Sequence, residues 1–257
     1  MASSTEPRNV IIQINFNEAI DPSQASGKTV DGFNVIKVNN ITSGGAVAGI
    51  FYISNQYRTV EFLTEDKCGI NSCGNDVFCL PGNSDLSVLA QAATLMVAGE
   101  SFAKIPYDGL IDMADNSLDG NKDGKAAGPQ AQSGTPPFNE NAPDAANQGD
   151  DYTWAFKTNN TIDITAPKIE AVSPNIGVFD VGLSAVPQAV FDKMLSARTA
   201  NSNNAVLTAS AGPINYSSFL SNDNILKKGT VKINHDTFTN PESMKNMVRY
   251  FKNEKVM

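Results

Sequence analysis

The sequence is poor in the residues from which most catalytic sites are built. It contains one histidine, His235, and it has no Gly-x-Ser-x-Gly elbow, no P-loop and no dinucleotide-binding fingerprint. Only 18% of its 257 residues are charged, and no apolar run approaches the ~18–20 residues that a membrane-spanning helix needs. These absences argue against a hydrolase, a nucleotide-dependent enzyme and a membrane-inserted protein. We therefore predict that the chain is not an enzyme.

The charges that are present are mainly negative. The formal net charge is -8 and the isoelectric point is near 4.7, which argues against nucleic acid or an anionic membrane surface as a partner. Divalent cations are the natural complement of such a chain. Apolar residues make up 41% of the sequence, so one large or two ordinary domains can bury a core.

The three cysteines are confined to one short segment. Cys68, Cys73 and Cys79 lie within twelve residues of one another. Zinc would need a fourth ligand, and His235 is distant in the sequence. A local disulfide with a third thiol that is free or intermolecular is the favoured interpretation, but spacing does not tell which two cysteines pair. A disulfide would place the protein outside the cytosol.

Alternating apolar and polar residues predict a series of short strands. The clearest case is Val10–Phe16, whose period of two is typical of a half-buried strand. Trp154 alternates with neighbouring aromatic residues, and we expect it to face the core. Turns rich in Gly, Asn and Ser separate the strands, which predicts an all-β sandwich. The remaining strands predicted in the first part of the chain are Phe33–Val38, Gly49–Ser54, Thr59–Leu63, Leu86–Ala92 and Tyr152–Lys157.

Two segments of the sequence are echoed later at nearly constant offsets. The offsets are 175 and 171 residues, and the order is kept, which favours a tandem repeat. We predict a first domain over residues 1–160 and a second, truncated one over residues 161–257, so that the chain is a window of a longer array. The paired segments are Ile14–Ile20 with Ala189–Leu195, and Thr59–Phe62 with Thr230–Ile233.

Two further segments depart from this pattern. Residues 124–150 are rich in Ala, Gly, Pro, Asn and Gln, and we expect a long surface excursion there. Asn240-Pro241-Glu242 predicts the start of a short C-terminal helix, because proline is favoured at the first helical position.

Carboxylates and amides cluster before the long excursion. Residues 119–124 read D-x-N-x-D-G, the first half of a calcium loop, although Gln130 stands where an EF-hand has its bidentate glutamate. Asp112, Asp115, Asp150 or Asp151 could supply the missing charge. The alternative is a set of turns in which Asp and Asn side chains accept hydrogen bonds from their own backbone. The predicted calcium ligands are Asp112, Asp115, Asp119, Asn121, Asp123 and Asp151.

The order of four motifs resembles the bacterial immunoglobulin-like domains of the S-layer (SbsA) type. In that family a P-x-I-x-x-V-x-P start precedes an F-[ND/S]-[EK]-x-[ILM] strand, and a D-x-x-x-N-x-L-D loop precedes an F-x-T strand. The resemblance implies tandem sandwiches of seven strands without catalytic activity. The matching segments are Pro167–Pro174, Phe16–Ile20 with Phe191–Leu195, Asp112–Asp119 and Phe156–Thr158.

These observations together predict a structural or adhesive module of a secreted or cell-surface bacterial protein, stiffened by calcium. Its partners would be the neighbouring immunoglobulin-like domains. The alternatives are a module that binds a surface glycan or a host protein, and an accessory domain of a secreted hydrolase.

Overall fold

The structure, a computed structural model, consists mainly of β-strands. It describes residues 5–71, 74–129, 149–175, 177–178, 185–200, 204–205, 216–223 and 228–235. Contacts divide the chain into two compact units, Met1–Ile164 and Thr165–Met257, where we predicted a boundary after residue 160. In the described part of the chain, no helix is long and apolar enough to cross a membrane.

The first unit contains eleven strands in its described residues, a one-turn helix α1 (Pro22–Ala25) and a 3-10 turn (Thr29–Asp31). The strands are β1 (Thr5–Glu6), β2 (Ile12–Asn15), β3 (Gly27–Lys28), β4 (Ile36–Asn40), β5 (Gly45–Ala46), β6 (Gly49–Ser54), β7 (Thr59–Thr64), β8 (Lys67–Ile70), β9 (Asp76–Phe78), β10 (Asp85–Ala90) and β11 (Tyr152–Thr158).

Two sheets of the first unit share one apolar core, which makes this unit a β-sandwich. One sheet has the order β1-β11-β10-β4-β5 and the other has the order β2-β7-β6-β3. Along β4 and β10 every second residue is buried, as the period-two pattern predicts. Trp154 is partly buried and packs against the core, as predicted. The buried side chains come from both sheets and include Ile12, Ile36, Val38, Phe51, Val60, Phe62, Leu86, Val88 and Phe156.

The N-terminal segment of the first unit runs parallel to its last strand. β1 pairs with the end of β11, with Thr5 opposite Lys157. The pairing continues beyond both strands, because the Arg8 amide donates to the Thr161 carbonyl at 2.9 Å. The Asn9 side chain then donates to the Asp163 carbonyl at 2.6 Å and accepts from its amide at 2.9 Å. We call residues 5–9 with residues 157–163 the terminal clamp.

The described residues of the second unit form one four-stranded sheet with the order β12-β13-β15-β14. Its small core contains Ala189, Phe191, Leu220 and Val231. The strands are β12 (Ile169–Ser173), β13 (Gln188–Phe191), β14 (Tyr216–Asp223) and β15 (Lys228–His235).

The two echoed sequence segments occupy equivalent places in the two units. β2 pairs with β7 in the first unit and β13 pairs with β15 in the second, and both pairings are antiparallel. Ile14 lies opposite Val60, and the residues at the two sequence offsets, Ala189 and Val231, also lie opposite each other. A third strand, β6 or β14, flanks each pair on the same side. The two units therefore share the order of three strands and the register of the first pair.

Several details differ from the expectations or lie beyond them. We expected strands at Phe16–Ile20 and Phe191–Leu195. In the structure, both segments begin where the strands β2 and β13 end. The hairpin of β8 and β9 and the strand β14 were not predicted. The C-terminal helix expected from residue 240 lies outside the described residues, as do Cys73 and Gln130.

Candidate metal site

The acidic region is held by a small substructure between β10 and β11. Isolated bridges join Ala92 to Leu110 and Ile111 to Ser117. A second apolar cluster, formed by Ala93, Ala103 and Ile111, anchors this substructure. The chain then enters residues 119–124, and it returns to β11 through Asp150 and Asp151.

The first two predicted ligands, Asp112 and Asp115, belong to a turn of their own. One carboxylate oxygen of Asp112 accepts from the amides of Ala114 at 2.7 Å and Asn116 at 2.8 Å, and the other accepts from the Asn116 side chain at 2.7 Å. Asp115 has a φ of 65° and interacts with Tyr107, whose pKa is raised chiefly by its hydrogen bond to that carboxylate. The Asp112 side chain thus forms the kind of Asx-turn that we considered as the alternative to calcium.

Asp119, Asn121 and Asp123 line the next loop in a ladder of side chain to backbone hydrogen bonds. Asp119 accepts from the amides of Asp123 at 3.2 Å and Gly124 at 2.9 Å. Asn121 also accepts from the Asp123 amide, and Asp123 accepts from the Lys125 amide at 2.8 Å. Gly124 has a φ of 83°, which a residue with a side chain rarely adopts. The loop therefore turns sharply at the sixth residue counted from Asp119.

This loop lies directly against the residues that lead into β11. A Cβ atom added to Gly120 would lie 1.9 Å from the carbonyl oxygen of Asp150 and 3.2 Å from the amide nitrogen of Tyr152. Only a glycine permits such an approach between two backbones. The absence of a side chain at residue 120 thus brings the acidic loop to Asp150.

Asp150 is a fully buried carboxylate with one oxygen that has no hydrogen-bond partner. Its exposed fraction is 0%; Oδ2 accepts from the Ala127 amide, whereas Oδ1 has no hydrogen-bond partner. The pKa of Asp150 is raised from 3.8 to about 6, chiefly by burial and in part by the charges of Asp119 and Asp123, against the opposing effect of hydrogen bonds from the Ala127 and Asn121 amides. The Asp150 carboxyl group therefore lies within electrostatic range of two other carboxylates.

Asp151 makes a different structural contact from Asp150. Its carboxylate accepts from the Ala92 amide at 2.8 Å and so joins the chain beyond β10 to the start of β11. Sequence reasoning named both residues as possible sources of the missing charge but selected Asp151. Adjacent residues point to opposite sides of an extended chain, and the sequence carries no signal that tells which side faces the loop.

The structure thus brings Asp119, Asn121 and Asp123 together with Asp150. Among the described residues, no group of three or more His, Cys, Asp or Glu side chains has the arrangement of a metal centre. The carboxylates of Asp119, Asp123 and Asp150 therefore do not form such a group as they stand. A site at this place would also draw on asparagine and backbone carbonyl oxygens, which calcium accepts.

The cysteine segment forms a hairpin at another place in the first unit. Cys68 in β8 and Cys79, just after β9, are at disulfide distance, with their Cα atoms 5.7 Å apart. Cys79 is buried, and its amide donates to the Asp66 carbonyl at 2.9 Å. Because the third thiol lies outside the described residues, the structure shows one pairing of those that the spacing left open.

A group of exposed apolar side chains covers the substructure between β10 and β11. Each is at least half exposed, and all five lie within eighteen residues of the sequence. Its members are Met96, Val97, Phe102, Ile105 and Met113, with exposed fractions of 50–69%.

Comparison with protein-family models, with curated proteins and with solved structures found no match to this chain.

Proposed function

We propose that this chain is a non-catalytic structural module of a secreted or cell-surface bacterial protein, built from tandem immunoglobulin-like sandwiches and stiffened by calcium. Its role is to carry mechanical load and to hold other domains at a distance. The strand order and register shared by the two units support the tandem arrangement. The disulfide supports a location outside the cytosol, because such bonds persist in oxidising compartments.

The terminal clamp is the observation that carries this proposal. Tension along an array pulls the first unit through Thr5 at one end and Ile164 at the other. Residues 5–9 and 157–163 run parallel and side by side, so this load slides the two segments past each other. Under shear their hydrogen bonds must break together, whereas peeling would break them one at a time. A β-sandwich whose outermost segments are joined in this way resists extension along its own chain.

Single-molecule force spectroscopy of the full chain, held at its two ends, tests this role. We expect Asn9→Ala to lower the unfolding force of the first unit, because it removes both hydrogen bonds to Asp163. Asn75→Ala, an exposed asparagine of the hairpin, is the matched control and should leave the force unchanged. Reduction of the disulfide should add about 3.4 nm to the extension, since 11 residues of ~0.36 nm are released and the linked Cα atoms already span 5.7 Å. An unfolding force that is equal in the wild type and in Asn9→Ala would overturn the mechanical role.

A second candidate function is binding of a glycan or a host protein. The five exposed apolar side chains of residues 96–113 favour it, since patches of this kind often mark interaction sites. Phe102, which is 51% exposed, could stack on a sugar ring. A glycan array probed with the wild type and with Phe102→Ser tests this candidate. Binding that is lost in the variant would support it, and an array without signal would remove the glycan form of the hypothesis.

A further inference from the structure

The strongest unexplained feature of the first unit is the free carboxylate oxygen of Asp150. Buried polar atoms in folded proteins nearly always have a partner, so an orphaned one demands a specific explanation such as an ion. A buried charge without a partner is far more costly than a buried neutral group. Asp150 Oδ1 is buried and has no hydrogen-bond partner, while Oδ2 is occupied by the Ala127 amide.

The surroundings of this oxygen add negative charge. Asp119 and Asp123 act electrostatically on the Asp150 carboxyl group, and Gly120 brings their loop into contact with the Asp150 backbone. Repulsion between three carboxylates opposes this close approach. A cation between them would remove the repulsion and supply a partner for the orphaned oxygen at the same time.

The spacing of the oxygen atoms indicates which cation fits. Counting from Asp119, side-chain oxygens stand at the first, third and fifth residues and a glycine at the sixth, as in the first half of an EF-hand loop. The seventh residue, Lys125, can add its backbone carbonyl. Calcium accepts six to eight oxygen ligands in flexible geometry, whereas magnesium requires a near-ideal octahedron. A ligand set drawn from a loop and from a distant strand entry suits calcium better.

We propose that Asp119, Asn121, Asp123 and Asp150 bind one calcium ion, and that Asp150 replaces the acidic ligand that an EF-hand carries at its twelfth position. Both carboxylate oxygens of Asp119 accept amides within the loop, and Asp123 Oδ1 accepts the Lys125 amide. These side chains must reorient toward Asp150, or share these hydrogen bonds with the ion, as it enters. The bound ion would fasten the acidic loop to the start of β11. As a brace this site rests on the structural role proposed above, but the binding itself is independent of that role.

Calorimetric titration of the EDTA-treated full chain with calcium chloride, and separately with magnesium chloride, tests the site. We expect one calcium ion per chain and weaker binding of magnesium. Asp150→Asn should weaken calcium binding at least tenfold, because it removes the only buried carboxylate of the set. Asp123→Ser should also weaken it while retaining an oxygen that can cap the Lys125 amide. Glu100→Gln removes one exposed charge elsewhere in the first unit and is the matched control.

Thermal unfolding supplies the second measurement. Calcium at about a hundredfold excess over its dissociation constant should raise the melting temperature of the first unit by roughly 5–10 °C, and the rise should disappear in Asp123→Ser. Absence of binding at millimolar calcium, or equal affinity in the wild type and Asp150→Asn, would refute the site. If Asp150→Asn does not fold, the exposed loop variant Asp123→Ser decides in the same way. The two proposals can fail independently. If the protein does not bind calcium but Asn9→Ala still lowers the unfolding force, the calcium site is refuted and the mechanical role stands.

Discussion

Replacing Asp150 by asparagine should change how the stability of the ion-free protein depends on pH. Compared with the wild type, the variant should lose less free energy of unfolding when the pH rises from 4 to 7. The asparagine side chain has nearly the shape of the carboxyl group and can still accept from the Ala127 amide, but it carries no charge. The folded pKa of Asp150 is about 6, against 3.8 for an ordinary aspartate. The folded state therefore holds this proton more tightly than the unfolded chain does.

The sign and size of the effect follow from this difference. Because the folded pKa is raised, the contribution of Asp150 to stability is fully present below pH ~4 and is lost as the pH rises through about 6. At ~1.4 kcal/mol for each unit of pKa, the complete loss is about 3 kcal/mol. Water screens the exposed Asp123 charge, so we expect about 2 kcal/mol. The amide introduced by Asp150→Asn cannot ionise, and the variant should avoid this loss.

Unfolding in urea with EDTA, at pH 4 and at pH 7, measures the effect through Trp154. This residue is the only tryptophan, and it lies in β11 of the first unit, so its fluorescence reports on that unit. At each pH, the free energy of unfolding of the wild type is subtracted from that of the variant. The quantity of interest is this difference at pH 7 minus the same difference at pH 4. Any cost of the amide group that does not depend on pH cancels. A value near zero would show that ionisation of Asp150 does not oppose folding, and the electrostatic reasoning would be wrong.

Three other substitutions or treatments test the packing of the first unit by urea unfolding. Reduction of the Cys68–Cys79 bond should cost about 2–3 kcal/mol for a loop with a separation of 11 residues, and non-reducing peptide mapping of protein produced in an oxidising compartment should recover this pair. Gly120→Ala should destabilise by about 2 kcal/mol or more, because its Cβ would collide with backbone atoms, whereas Gly45→Ala meets nothing within 4 Å; equal effects would contradict the close approach. Phe51→Ala should cost about 3–5 kcal/mol, since this ring is 2% exposed and packs between two others with centroids 5.3 and 4.8 Å away; a cost below ~1 kcal/mol would mean that the core is not packed as described.

Much of the sandwich could be predicted from the sequence, because alternation decides which face of a strand is buried. Gly49–Ser54 was predicted with the bounds that it has in the structure, and the segments echoed from the first unit into the second proved to share one register. The hairpin of β8 and β9 was missed because its residues are mostly polar and exposed. A pattern of hydrophobicity cannot detect a strand that buries no apolar face.

The candidate site was predictable only in its local part. Asp119, Asn121 and Asp123 are close in the sequence, and their alternation with other residues is itself the signal for a turn rich in oxygen ligands. Asp150 is some thirty residues away, and its place beside the loop depends on the close approach at Gly120. Sequence spacing contains no information on such long-range contacts. Asp151, which sequence reasoning selected, has a carboxylate that accepts from the Ala92 amide, and its role as a ligand stays a prediction.

The pairing of β1 with β11 also constrains how the chain is made. Thr5 leaves the ribosome or an export channel about 150 residues before Lys157, its partner in the sheet. Until then the first strand has nothing to pair with, and β10 lacks its neighbour β11. Contacts between residues so distant in the chain slow folding, and unpaired strand edges promote aggregation while they last. The pairing that we propose as resistant to extension therefore delays completion of the domain during synthesis, and a chain stalled before residue 157 would expose an open sheet.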